Sequence, residues 1–305
     1  MKRCVKGFAV VLAVGLLGLG ALFVPIGYAA VFINPHTGAN TDIAESIYLR
    51  ELPPALTDPA SLRVMTFNVQ NLLIIGRNRA ARMRAIADKL GELDPDIVGF
   101  QEVFVGRERR LLIDKLREKT RLDHFTYYES GTVGSGLLTA SAYPIREAFF
   151  HRYTASNRWY HLWEGDWWAG KGIGVARIEL PGGMLDFFNT HAQASYGRAA
   201  NKQARALQLV EAAEFMGQVR LATAPALAVG DFNCRPGDAP YDKLVADAGL
   251  QLLMDEKHRI DNIFACTSPH YRFTREEFLV IHDHAGLRLS DHDGYLSAVR
   301  IDPRV

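Results

Sequence analysis

An α/β four-layer sandwich, with two packed, mostly antiparallel β-sheets flanked by helices and an N-terminal hydrophobic segment ahead of them, is the fold class this sequence predicts. Three observations predict it. From Arg63 the chain opens strand, helix, strand, the strands being apolar runs of buried character. Its middle is a series of short β segments broken by a Gly-Gly pair. Its last third holds one long helical pattern and then further strand-like runs. Two face-to-face sheets with helices outside are the simplest arrangement of such a mixture.

At the N-terminus, Lys2, Arg3 and Lys6 precede an uncharged apolar run from Gly7 to about Phe32, so residues 1–32 read as a membrane anchor or a signal segment. The run is long enough to cross a ~30 Å hydrocarbon core as a helix. A signal-peptide core is usually ~7–15 residues and ends at a small-x-small site, which GYAA (Gly27 to Ala30) offers. The length favours an anchor. Both readings keep the basic flank in the cytoplasm and place the rest outside it, membrane-anchored, or secreted or periplasmic if the segment is cut. Residues 33–62 are mostly polar, hold several Pro and show little periodicity, which marks a linker into a domain over 63–305.

In that domain RVMTFNV reads as a buried strand, NRAARMRAIADKLGEL as an amphipathic helix and DIVGFQEV as a second buried strand. A helix from about Glu108 to Glu118 follows, then β segments in GSGLLTAS, GIGVARIEL and MLDFFNTH, with a hairpin turn at Gly182–Gly183. The long helix runs from about Arg198 to Val219, with Ala204, Leu207, Leu209, Ala212, Phe215 and Met216 along one side. PALAVGDFN, RIDNIF, RFTREEFLVI and SDHDGYLSAVRI supply the closing strands.

Composition narrows the function classes. With 305 residues, 48% hydrophobic and 23% charged, the chain can bury a full core and is not a disordered protein. A net charge of +1 gives no global field toward nucleic acid, so no nucleic-acid partner is expected. The basic stretches GRNRAARMR (Gly76 to Arg84) and GRERR (Gly106 to Arg110) read as solvated helix faces or helix starts rather than phosphate tracks. Of three cysteines, Cys234 and Cys266 lie far apart without metal-like spacing, and a disulfide between them stays open outside the cytoplasm.

Polar residues collect where the apolar strands end, the place where α/β proteins build sites. They are Asn68 in TFNVQN, Glu102 in FQEV, His191 in NTHAQASY, Asp231 and Asn233 in VGDFN, Asp261 in RIDNIF, and Asp291 with His292 in SDHDG. Each alone is an ordinary strand end or turn. Together they offer carboxylates and amides for Mg²⁺, two imidazoles for proton transfer, and no Cys/His cluster suited to zinc. That inventory suits hydrolysis of a phosphate ester.

This order and spacing of motifs, from about Arg63 to Ile301, resembles the endonuclease/exonuclease/phosphatase superfamily of Mg²⁺-dependent phosphodiesterases. Within it, GTVGSGLLTASAYPI, EGDWWAGKG, NTHAQASY and RIDNIF are similar to neutral sphingomyelinases. The resemblance implies Mg²⁺, with Mn²⁺ as a substitute, held chiefly by Glu102, with Asn68 adjacent and Asp291 supporting. It implies that Asp231 orients or deprotonates the attacking water and that Asn233 holds that water or a phosphate oxygen. His292, oriented by Asp261, is then the general base or an electrostatic partner, and His191 stabilises charge on phosphorus or protonates the leaving alkoxide. The base and acid roles stay exchangeable among Asp231, His191 and His292. Lys171 meets a phosphate oxygen, with Asp166 able to hold it away until substrate arrives; an ordinary salt bridge is the competing reading.

RWYHLWEGDWWAGKG holds all four tryptophans. Trp167 and Trp168 are expected to shape the wall around Asp166 and Lys171, and Trp159 and Trp163 to meet a lipid interface or stack on a choline cation. The implied reaction is hydrolysis of sphingomyelin to ceramide and phosphocholine at a membrane surface. A choline lysophospholipid phospholipase C and an extracytoplasmic Mg²⁺-dependent endonuclease are the alternatives.

Overall fold

The computed structural model describes residues 55–72, 76–130, 134–155, 170–255 and 259–304. The hydrophobic segment 1–32, most of the expected linker, Asp166 and the four tryptophans lie outside them. Among the described residues no helix is long and apolar enough to cross a membrane.

The first strand, β1 (Ala60–Asn68), starts three residues before Arg63. The end of the expected linker joins the fold as well: Leu56 is buried, and its N–H donates to the Tyr271 hydroxyl at 3.0 Å. After α1 (Arg79–Leu93) comes β2 (Ile97–Gln101), parallel to β1, and after α2 (Gly106–Lys119) come β3 (His124–Tyr127) and β4 (Leu138–Ser141). The strand β5 (Ile145–Arg152) leads to the hairpin of β6 (Gly172–Leu180) and β7 (Gly183–His191), whose turn uses Gly182 at φ 92°. The long helix α3 (Ala199–Val219) then crosses to β8 (Ala226–Asp231), parallel to β7. The chain closes with α4 (Ala239–Ala248), β9 (Leu250–Leu252), β10 (Asp261–Cys266), β11 (Tyr271–Ile281), the short pair β12 (Asp283–His284) and β13 (Leu287–Arg288), and β14 (Gly294–Pro303).

The strands form two six-stranded sheets, ordered β11-β14-β1-β2-β4-β3 and β5-β6-β7-β8-β10-β9. Each is mixed: one parallel pair sits at its centre, β1 with β2 and β7 with β8, among antiparallel neighbours. The two crossover helices α1 and α3 explain this departure from a wholly antiparallel pattern, because parallel partners need a long connection and hairpins do not.

Alternation along the strands sorts the core into three layers. Val64, Ile97 and Val299 of the first sheet face Ile178, Phe187, Val229 and Ile263 of the second. Met65, Phe67, Val98 and Phe100 turn the other way, onto Met83, Ile86 and Leu90 of α1 and Leu112 and Leu116 of α2. Val175, Phe188, Ala228 and Phe264 pack on Leu209, Phe215 and Met216 of α3 and Leu244 of α4. The order is therefore helices, sheet, sheet, helices.

Three local expectations change. Leu207 is 53% exposed, and Gln208 takes the buried place beside it, joining Gln193 N–H (2.7 Å) to the Ala155 carbonyl (2.7 Å). The basic stretches are not merely solvated faces, since each sends an arginine inward. Arg82 donates to the carbonyls of Arg77, Val69, Gln70 and Leu289 at 2.6–2.9 Å, and buried Arg109 lies 3.6 Å over the Tyr127 ring. Cys234 and Cys266 are buried free thiols.

Candidate active site

The parallel pairs run in register, so their C-terminal ends meet at one end of the sandwich. His191, Asp231 and Asp261 form one lateral row across β7, β8 and β10. Gly230, at φ 151°, lets β8 approach β7 there, since a Cβ would strike the Thr190 carbonyl. On the first sheet Asn68 pairs laterally with Gln101, Glu102 follows at φ 59°, and Asp291 and His292 lie just before β14. Lys171 precedes β6. The described site residues expected from sequence are thus brought to the same end.

Asp231 is the hub. Its Oδ1 accepts the Asn233 N–H at 2.9 Å, and its Oδ2 accepts Asn68 Nδ2 at 3.1 Å. His191 Nε2 lies 3.3 Å from that Oδ2 and His292 Nε2 lies 3.9 Å from it. Burial alone would raise this carboxyl, but His191, His292 and Lys171 outweigh it and hold Asp231 well below the usual carboxylate range. The cationic neighbours therefore favour the ionised carboxylate, which can orient a water or take its proton.

His292 Nδ1 meets Asp261 Oδ2 at 2.8 Å. Burial opposes the imidazolium, but Asp261, Asp231 and Asp291 together push His292 up to about 10. Burial and the charge of Asp231 move Asp261 upward as well, against the pull of His292. The 2.8 Å contact with Asp261 favours the imidazolium, which suits His292 to the role of electrostatic partner or donor.

His191 Nε2 sits 2.9 Å from Lys171 Nζ. A neutral ring can accept from Lys171 there or donate to Asp231, not both. His191 Nδ1 is buried without a partner among the described residues. Lys171 also donates to the Ala192 carbonyl at 2.9 Å, which accepts Asn233 Nδ2 at 3.0 Å. Lys171 is buried within the site, and its expected pairing with Asp166 lies outside the described residues.

The oxygen donors expected around Mg²⁺ divide. Asn68 is engaged at both ends, since its Oδ1 accepts Gln70 N–H at 3.1 Å, so it positions Asp231. Asp291 is exposed and accepts Gln70 Nε2 at 2.7 Å. The Glu102 side chain, 18% exposed, has its Oε1 3.9 Å from His191 Nε2 and accepts no hydrogen bond from the described residues. A part-buried carboxylate with this capacity unfilled fits a hard divalent cation. Asp231, Asp261 and His292 also bring one donor atom each within 4.8 Å of one another, a second place where a metal could be held. The Asp261–His292 hydrogen bond already occupies part of that set, and imidazole suits Mg²⁺ less well than oxygen does.

Four contributors were not singled out from sequence: Gln70, Arg82, Gln101 and Asn189. Gln101 and Asn189 did carry a signal, because strand alternation places both on the apolar face between the sheets, where an amide is out of place.

The site gathers carboxylates that could hold a divalent cation beside two imidazoles, and a family profile for the endonuclease/exonuclease/phosphatase family matches residues 65–292, so the chain belongs to that family. It is similar to a putative neutral sphingomyelinase of Drosophila melanogaster, 32% identical over 186 residues, covering 60% of this chain and 42% of the relative. It is also similar to an inositol phosphosphingolipids phospholipase C of Schizosaccharomyces pombe, 32% identical over 221 residues, covering 67% and 50% respectively. The chain thus spans about half the length, or less, of these curated relatives. Among solved structures, a beta toxin variant of Staphylococcus aureus with bound magnesium ions shares the fold, with TM-score 0.63, 16% identity, and coverage of 78% of this chain and 99% of that one.

Proposed function

We propose that this protein is a Mg²⁺-dependent phosphodiesterase that hydrolyses sphingomyelin to ceramide and phosphocholine, acting on a lipid surface from the extracytoplasmic side of a membrane to which residues 1–32 attach it. The observation that carries the reaction class is the ionised Asp231, with two imidazoles at 3.3 and 3.9 Å and the Glu102 carboxylate open beside them. The names of the relatives support the substrate class.

Glu102 would hold the ion, with Asp291 supporting it from the same rim; Mn²⁺ could substitute. Bound there, Mg²⁺ supplies Lewis-acid polarisation of a phosphoryl oxygen and a more acidic water. Asp231 and Asn233 orient the attacking water. The His292 imidazolium, fixed by Asp261, stabilises negative charge gathering on the phosphoryl oxygens. Asp231 would take the proton that the attacking water gives up and the protonated His191 would pass one to the leaving alkoxide, the proton then returning from Asp231 to His191 across their 3.3 Å separation, so that water and phosphodiester become phosphocholine and ceramide.

A second reading, cleavage of an inositol phosphosphingolipid, is favoured by the yeast relative, which matches a larger share of the chain. The test is incubation of the purified full chain with Mg²⁺ and separate vesicles of sphingomyelin, phosphatidylcholine, lysophosphatidylcholine or inositol phosphosphingolipid, and with plasmid DNA. Glu102→Gln serves as control. Phosphocholine release from sphingomyelin is the expected result. Release of phosphoinositol alone supports the second reading, and nicked plasmid with every lipid intact contradicts both.

A further inference from the structure

We propose that Asn189 and Gln101 are a positioning pair that sets the gap between the two sheets at the active site; this rests on the phosphodiesterase reading above. Both are fully buried in the layer between the sheets. Gln101 Nε2 donates across the gap to Asn189 Oδ1 at 2.9 Å. Asn189 Nδ2 donates back to the carbonyls of Phe100 and Leu138 at 3.1 and 3.2 Å. Gln101 is itself steadied by the Gly99 carbonyl at 3.0 Å and Thr66 Oγ1 at 3.2 Å. One side chain of the second sheet is thus bonded to three groups of the first.

The sheets approach closely at this point. A Cβ on Gly99 would run into Val229 Cγ2 and lie 3.1 Å from Asn189 Cγ. Apolar contact is non-directional and tolerates sliding, whereas amide hydrogen bonds fix both distance and direction. Burying two amides in an apolar layer costs desolvation unless every polar atom is met, and here the two side chains largely meet one another and the neighbouring backbone.

Their place in the chain gives the pair its consequence. Asn189 lies two residues before His191, and so on the same face of β7, while Gln101 directly precedes Glu102. The pair therefore governs the two cross-sheet separations next to it, Asn68 to Asp231 at 3.1 Å and Glu102 to His191 at 3.9 Å. Asn68, Glu102 and Asp291 all belong to the first sheet, so loosening the pair should leave Mg²⁺ affinity in place and impair turnover.

The test uses Asn189→Leu and Gln101→Met, apolar near-isosteres. The readouts are kcat on bis(4-nitrophenyl) phosphate, a soluble phosphodiester, Mg²⁺ affinity by calorimetry, and crystal structures of the wild type and each variant. The expected result is a kcat lower by about tenfold or more, since misplacement by even 1 Å can cost on the order of 100-fold. Mg²⁺ affinity should stay within about threefold, with a longer Glu102–His191 separation. A folded variant with wild-type kcat, Mg²⁺ affinity falling in step with kcat, or an unchanged separation overturns the proposal. If Asn189→Leu does not fold, Gln101→Met, which leaves both carbonyls paired with Asn189, carries the test. If the wild type cleaves no phosphodiester, the functional reading fails, and the crystallographic separations still decide whether the pair positions the sheets.

Discussion

The two sheets meet the active site with different kinds of edge. The first contributes Glu102, Asp291 and His292 on a rim that solvent reaches, whereas the second contributes Lys171, His191, Asp231 and Asp261, all buried. On the open rim the Glu102 carboxylate accepts no hydrogen bond from the described residues and is available to a cation. On the dry rim charges are fixed by one another and by His292 reaching across from the open rim, and the state of Asp231 follows from those contacts rather than from bulk solvent. The difference suggests a division of labour, with cation binding on the first sheet's carboxylates and charge and proton handling on the second sheet, which His292 joins from across the gap.

The largest expected effect breaks the contact between the edges. His292→Ala removes the imidazolium that faces Asp231 and Asp261, and turnover should fall by at least about 100-fold, measured with the best vesicle substrate at saturating Mg²⁺. Near-wild-type turnover would remove His292 from the chemistry.

A middle-sized effect concerns what holds the open rim. Arg82 ties the carbonyls of Val69 and Gln70, just after Asn68, to that of Leu289, just before Asp291. Arg82→Met should cost on the order of 3 kcal/mol in urea unfolding, because several buried carbonyls lose a charged donor at once. A cost under about 0.5 kcal/mol, the scale of a bland surface change, would show that the rim is held by other contacts.

The smallest effect compares two carboxylates of the second sheet. Asp231 and Asp186 are both buried, at opposite ends of the paired β7 and β8. Burial pushes Asp186 up to about 6, although the Leu221 N–H and Arg177 oppose it, whereas the several cationic neighbours of Asp231 reverse the sign. A carboxyl whose folded pKa lies above its unfolded value contributes most stability below about pH 4 and loses it as pH rises through about 6. The stability of the wild type relative to Asp186→Asn should therefore decline across that window, by no more than about 1.4 kcal/mol per pH unit. A rise across the same window would mean that Arg177 outweighs burial.

Much of this was legible in the sequence because strand ends are marked by abrupt changes from apolar to polar residues. FQEV, NTHAQASY, VGDFN and SDHDG all proved to lie at one end of the sandwich. What escaped was whatever depends on pairing between sheets. The parallel centre of each sheet follows from which helix acts as a crossover, which periodicity does not state. Arg82 looks like any helix-surface arginine until the Leu289 carbonyl, 207 residues away, is brought beside those of Val69 and Gln70. Gln101 and Asn189 were visible as amides on inward-facing positions, yet their partnership across 88 residues is a tertiary fact.

The central claim, that the first sheet's rim binds the cation, is tested most directly by calorimetric Mg²⁺ titration of Glu102→Gln and Asp231→Asn side by side. Losing even an outer partner of a metal commonly costs 10- to 100-fold in affinity, so Glu102→Gln should weaken binding by about tenfold or more, while Asp231→Asn stays within about threefold of wild type. Binding lost in Asp231→Asn and kept in Glu102→Gln would place the ion at Asp231, Asp261 and His292 instead, and would contradict the division of labour between the sheets.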